Sequence, residues 1–365
     1  MPVVPVHENG TSVYYEDTGA YELTDSYTTF VLVHGFTINS GIFRKTFPYA
    51  RHHNVRIITM NMRDYFGSTP YAADEMLAFT NPDTCGEAVR GWAREIASFL
   101  LFVAEHLGVP KLEKSPTGDT GGIVVVPWSL SNATILSMFG DPGALGVRSR
   151  AGLAPYLRKV IMNDPPCLIF GICPEGIYSP LLDQSLTPLQ MGRDFQHWVS
   201  AYYPAIPNLA SITYETLLQN PALDAPRPTS ETLSASDALS TMDATVVGRS
   251  GSTLRVNPRV FNANFRSTFH NAAIFLPDVE FVALWCNQTN WFCQWGAKNL
   301  ADILDEEPLP GAKKRRLSIV KVENANHFFH WEFPGEFVEL LVEQTRSPAS
   351  STSEKKIDRR GITRL

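Results

Sequence analysis

The sequence of 365 residues is informative first in what it lacks. No stretch approaches the roughly 20 consecutive apolar residues that a membrane-spanning helix needs, so no membrane span is expected. Its beginning, Met1-Pro2-Val3-Val4-Pro5-Val6, has neither the basic residues nor the long apolar core of a signal peptide, and the expected location is cytoplasmic. Basic residues are not in excess. With 31 Lys and Arg against 37 Asp and Glu, a net charge of -6 and a pI near 5.9, the electrostatic footprint of a nucleic-acid-binding protein is missing. The five cysteines form an odd set with no CxxC pair, which argues against a disulfide framework and against a structural zinc site. What remains is an ordinary globular composition, 44% hydrophobic and 19% charged, in a chain long enough for one large core with an insertion or for two domains.

The strongest local signal is the run from Ile123 to Ala133. Four β-branched residues, Ile123 to Val126, suit a strand covered on both faces, and Leu130 onward carries the small and apolar residues of a packed helix. Ser129 stands at the apex of the turn between them. Small neighbours suit a turn in which the backbone is strained while strand and helix pass close together; Ser131 meets that demand and Pro127 meets it in part. A second register, Ser129-x-Ser131-x-Ala133, would put Ser131 at the apex. Ser129 is preferred because it follows the apolar run by two residues.

The rest of the chain alternates strands and helices. Residues Val4 to Glu16 alternate around Asn9-Gly10, a hairpin signal. Phe30 to Val33 is a short buried strand ending in His34-Gly35-Phe36, a helix is expected over Gly41 to Ala50, and Val55 to Met60 is the next strand. From Glu87 to Leu107, apolar residues including Val89, Trp92, Ile96, Phe99, Leu100 and Val103 recur at helical spacing, and Gly108 and Pro110 end the helix. Strands follow at Arg158 to Met162, Val279 to Trp285 and Leu317 to Val322, with helices at Trp291 to Leu304 and from Pro334 to about Glu343. This order is that of an α/β protein with a doubly wound, mostly parallel sheet.

The motifs together resemble the α/β-hydrolase family. They are the strand-turn-helix around Ser129, the strand ending His34-Gly35-Phe36, the loop carrying Arg63, Gly67, Ser68 and Pro70, and the run from Glu323 to Pro334, which closely resembles G-x-x-H-x-x-x-x-E-x-P around His327, with Asn324 at the glycine position. Asn61 and Asp64 depart from the family's second loop. The resemblance implies Ser129 as nucleophile and His327 as its base. It also implies an oxyanion hole from the amides of Leu130 and Phe36, with Thr37 beside the latter. It further implies a core of residues 1–164 and 278–346 carrying an inserted, mainly helical cap at 165–277, with 347–365 as a polar, disordered tail. Within the cap, Phe195, Trp198 and Tyr202 form an aromatic helix face. Together with Trp128 and His330 they are the expected substrate-binding residues.

The acid is the missing member. The family usually carries it after the strand Val279 to Trp285, yet the loop there is Cys286-Asn287-Gln288-Thr289-Asn290, without a carboxylate. Some members place it one strand earlier, where this chain has Asp164. Alternatives are Asn287 or Asn290 as a neutral orienter, or a cap carboxylate such as Asp183 or Asp194. The implied activity is a serine esterase that cleaves a hydrophobic small-molecule ester, lactone or thioester through an acyl-enzyme, with no metal or cofactor. An acyltransferase, a lyase and a non-catalytic small-molecule binding protein are the alternatives.

Overall fold

An N-terminal hairpin, β1 (Val3–Pro5) and β2 (Ser12–Asp17), leads into six strands whose side chains are almost all buried: β3 (Thr28–Val33), β4 (Val55–Met60), β5 (Ile123–Pro127), β6 (Leu157–Asn163), β7 (Glu280–Cys286) and β8 (Leu317–Val322). The computed structural model describes residues 2–346 except 8, 21–25, 117 and 309, so the polar tail from 347 lies outside the described residues. The strands form one sheet in the order β1-β2-β4-β3-β5-β6-β7-β8. The pairs β1/β2 and β2/β4 are antiparallel, and every pair from β4 to β8 is parallel. Such strands have no solvent face, which is why they read as unbroken apolar runs rather than alternating ones.

The chain crosses from β3 to β4 on one side and from β4 back to β5 on the other. A crevice therefore opens at the carboxyl ends of β3 and β5, the topological switch point where open α/β sheets place their ligands. His34-Gly35-Phe36 and Ser129 stand at these two strand ends.

The long periodic segment forms α1 (Cys85–His106), with Val89, Trp92, Ile96, Phe99, Leu100 and Val103 buried. The turn at Ser129 opens into α2 (Asn132–Gly140), every residue of which is buried. Residues Gly41 to Ala50 wind differently from expectation. Asn39 caps a tighter 3-10 helix at Ser40–Thr46, and only Phe47–Ala50 is α-helical. Among the described residues no helix is long and apolar enough to cross a membrane.

Between β6 and β7 lies a mainly helical insertion whose longest early helix is α3 (Pro188–Val199). It sits on the carboxyl ends of the strands. Gln196 Nε2 donates to Thr37 O after β3 (2.9 Å), Ile206 N to Asn287 O after β7 (2.9 Å), and Asn326 Nδ2, after β8, to Ser200 O (2.7 Å). Helix α4 (Pro258–His270), inside the expected bounds 165–277, packs on α2, where Thr268 Oγ1 donates to Leu136 O at 3.0 Å. Helices α5 (Trp291–Asp305) and α6 (Pro334–Arg346) complete the core, close to their expected bounds.

The α2–α4 contact requires a glycine. A Cβ on Gly140 would lie 2.1 Å from Asn264 O and 2.7 Å from Thr268 Oγ1, whereas a Cβ on Gly86 in α1 would meet nothing within 4 Å. Gly140→Ala is expected to destabilise the protein by about 1–3 kcal/mol, the usual cost of overpacking a filled core. Gly86→Ala should be neutral or stabilising, since alanine favours the helix. Thermal unfolding of the two variants side by side checks the pair, and equal midpoints would refute the close approach.

Candidate active site

Ser129 has φ +58, in the left-handed region that costs a non-glycine residue about 1–3 kcal/mol. The turn is held by the serine two residues on. Ser131 Oγ accepts from Trp128 N and lies within hydrogen-bond distance of Val33 O and Trp128 O, all at 2.9 Å. Asn132 Nδ2 adds a bond to Ser129 O at 2.8 Å. Ser131 is fully buried and its hydroxyl is spent on this clamp, while Ser129 is half-buried at the apex. A Cβ on Gly35 would lie 2.8 Å from Ser129 Cβ, so the glycine of His34-Gly35 is what lets the loop after β3 approach the turn.

The histidine and the acid meet. His327 Nδ1 lies 2.7 Å from Asp164 Oδ2, and both side chains are almost completely buried. A carboxylate accepts only, so Nδ1 carries the proton and Nε2 is left with its lone pair. Asp164, at φ +44, accepts two further bonds, from Cys286 N to Oδ1 (3.1 Å) and from Thr289 Oγ1 to Oδ2 (2.6 Å). The loop after β7, which lacks an acid of its own, thus supplies two donors to the acid of the neighbouring strand.

The alternative orienters are engaged elsewhere. Asn287 bonds Glu323 and the Asn324 amide, fixing the loop that leads to His327. Asn290 caps α5 by accepting from Phe292 N. In the insertion, Asp183 accepts from Ser185, and Asp194 is exposed. Among the described residues Ser129 forms no side-chain hydrogen bond to His327. Such contacts often tighten only when substrate is bound.

The residues of the loop after β3 are held differently from one another. Thr37 N donates to the Tyr65 hydroxyl at 2.9 Å, so its amide is taken. Phe36 and Leu130 are buried beside the turn, Leu130 in its first residues, where unpaired amides and the helix dipole favour negative charge. Thr37 itself has φ +62, and its carbonyl accepts from Asp243 N (2.7 Å) and Gln196 Nε2 (2.9 Å), both in the insertion. His34 Nε2 accepts from Met62 N and its Nδ1 faces Gly35 O; burial pushes its pKa down to about 4, so the ring stays neutral.

Two cavities lie near the loops that follow the strands, and neither is lined by Ser129 or His327. A small one, about 30 Å³, is bounded by Phe36, Leu130, Met62, Tyr65 and Trp92, on the β3 and β4 side of β5. A larger one, about 900 Å³, is bounded by Leu168, Cys173, Met191, Leu254 and Phe292, on the β6 and β7 side. None of the five expected substrate-binding residues lines either. Trp128 and His330 are fully buried, their rings 4.4 Å apart, and Trp128 Nε1 donates to His327 O at 3.1 Å. They support the histidine from beneath because they directly follow β5 and the histidine loop. Phe195 stacks on Trp198, which meets Phe292 at 5.6 Å, so these two back the wall of the larger cavity. Tyr202 is buried in the insertion.

Thr289, Tyr65 and Gln196 were not foreseen. Thr289 had a signal, as the hydroxyl in an acid-free loop after β7; the other two had none. Cys293 also closes on the site, with Sγ 3.2 Å from Asp164 O and 3.5 Å from His327 Nδ1, and burial pushes its thiol well above the ordinary range, so it stays protonated. Asp164, Cys293 and His327 could together offer ligand atoms to a metal ion, all within 4.8 Å of one another, but a metal would displace the proton between Asp164 and His327.

No protein-family model matches the chain, and no curated protein matches it. Solved structures do. A laboratory-evolved variant of potato epoxide hydrolase superposes with a TM-score of 0.57 at 12% identity over 94% of this chain and 98% of its own. Bromoperoxidase from Bacillus anthracis gives 0.53 at 14% identity over 94% and 99%, and a mutant of the N-acyl homoserine lactonase AidH, complexed with N-hexanoyl homoserine, gives 0.53 at 14% over 97% and 98%. The fold is that of the α/β-hydrolases.

His330 is fully buried against Phe43, Trp128 and Phe337, and burial holds its pKa well below the ordinary value. A histidine kept neutral when folded binds a proton on unfolding below about pH 6.5, so stability falls as the pH drops from there. His330→Phe keeps a ring and removes the titrating group. It should lose less stability than the wild type between pH 7.5 and pH 5 in thermal unfolding, and keep activity within about threefold. Equal slopes would deny His330 this role, and a large activity loss would return it to the substrate site.

Proposed function

We propose that the protein is a serine hydrolase that cleaves a hydrophobic small-molecule carboxylic ester or lactone. The observation that carries the reading is the His327–Asp164 pair, buried and bonded at 2.7 Å, at the same end of the sheet as a serine held at φ +58. Ser129 Oγ attacks the carbonyl carbon while His327 Nε2 takes its proton. The Asp164 carboxylate holds the ring in the tautomer that makes this possible and stabilises the imidazolium that forms. The charge developing on the carbonyl oxygen is received by the amides of Phe36 and Leu130. His327 then returns the proton to the leaving oxygen, and a water activated by the same ring releases the acid from Ser129. The serine supports this over epoxide opening, for which this fold uses a carboxylate nucleophile. The insertion acts as the cap, excluding water above the serine.

Asp164→Asn keeps the shape and hydrogen bonding of the acid but removes its charge. In a well-studied serine protease, the handiest precedent, the same change costs on the order of ten-thousand-fold in kcat. Here a loss above about a hundredfold is expected with the circular dichroism spectrum unchanged, while Asn290→Ala should be far milder. A fluorophosphonate probe should leave its adduct on Ser129, read by peptide mass spectrometry. An adduct on Ser131, or near-normal turnover by Asp164→Asn, would refute the assignment.

A further inference from the structure

Cys167 and Cys173 meet in space, their Sγ atoms 2.6 Å apart, and neither takes part in the chemistry described above. Pro165 and Pro166, which follow Asp164, stiffen the approach to the first of them. The chain then winds one 3-10 turn over Cys167–Phe170 and reverses at Gly171, whose φ of +66 suits a glycine. Both ends of this turn are seated by bare backbone. A Cβ on Gly296 of α5 would lie 2.1 Å from Pro165 O and 3.1 Å from Cys167 N, and a Cβ on Gly171 would lie 2.1 Å from Pro258 O at the start of α4. Phe170 O also accepts from Asn262 Nδ2 at 3.1 Å, and the Phe170 ring packs 4.3 Å from Phe265. The two thiols are therefore brought together by the packing of this turn on α4 and α5, before any bond joins them.

The two differ in access. Cys167 is fully buried, whereas Cys173 is half-buried and lines the cavity of about 900 Å³. Burial and the neighbouring Cys173 sulfur push the Cys167 thiol well above its ordinary range, so it stays protonated and cannot start an exchange. Capping Cys173 would remove that sulfur's charge and ease the loss of the Cys167 proton. Cys293 is engaged elsewhere, with Sγ 3.2 Å from Asp164 O.

We propose that Cys167 and Cys173 form a reversible thiol–disulfide exchange site whose oxidant is a low-molecular-weight disulfide such as oxidised glutathione. The Cys173 thiolate attacks one sulfur of the small disulfide and releases the other half as a thiol. Cys167 then gives up its proton and its sulfur displaces the half still attached. The protein loses two hydrogens and two electrons, and the small disulfide becomes two thiols. Because the pair is already seated, the second step is intramolecular and outruns the survival of a mixed disulfide. Closing the bond ties the cavity wall at Cys173 to the turn that follows Asp164. The site stands whether or not Ser129 is a nucleophile. The experiment incubates the native full chain in about 10 mM reduced and about 1 mM oxidised glutathione, then quenches with acid, alkylates in denaturant and maps the peptides by mass spectrometry. More than about 90% of wild-type chains should be two hydrogens lighter, with Cys167 linked to Cys173, an unchanged circular dichroism spectrum and full reversal by dithiothreitol. Cys167→Ser should retain one glutathione on Cys173, and Cys173→Ser should take up none at Cys167. Free thiols at both positions, a glutathione retained on wild-type Cys173, or a link from Cys167 to Cys293 would each overturn the proposal.

Discussion

The site depends on one buried carboxylate. Removing Asp164 from water is costly unless its lone pairs are satisfied, and three donors satisfy them: the Cys286 amide, the Thr289 hydroxyl and His327 Nδ1. Two of them come from the end of β7 and its loop and the third from the loop after β8, so satisfying the charge also fixes the relative positions of β6, β7 and the loop after β8. The imidazole has little choice of orientation once Asp164 is placed. The Trp128 indole reinforces it by donating to the His327 carbonyl from the residue before Ser129, which links the serine turn to the histidine loop directly.

Much of this could be read from the sequence, for identifiable reasons. The central strands were legible because a parallel sheet covered on both faces demands unbroken apolar runs, and α1 because a helix with one buried face leaves a periodic trace. Ser129 and His327 were legible because each sits in a loop whose shape constrains several neighbours at once. Asp164 was only half legible. Its sign was an absence between Cys286 and Asn290, and the reason for that absence, that Thr289 and the Cys286 amide bind the acid of the next strand, exists only in three dimensions. The packing of α4 on α2 was not legible, because α4 is amphipathic like any helix of the insertion and what seats it is the bare backbone of Gly140 against Asn264, a contact 124 residues apart in the chain.

Trp128 and His330 show how aromatic residues near a catalytic motif mislead. Proximity in sequence to Ser129 and His327 suggested contact with substrate. Strand geometry places them instead on the inner side, where they fill space and hold the His327 ring. The walls of the larger cavity come from residues outside any motif, Leu254 and Phe292 among them.

The strained Thr37 ties the loop after β3 to the insertion. Its carbonyl is held by Asp243 and Gln196 of the insertion, Ile38 pairs with Met242, and the Asn39 side chain bonds Ser240 O. Any movement that lifts this part of the insertion must break those bonds, and with them the restraint on the amide of the preceding residue, Phe36. Under the proposed reading, in which the Phe36 amide receives the oxyanion, opening along this seam would admit a molecule while loosening that amide, and closing the seam would restore its placement.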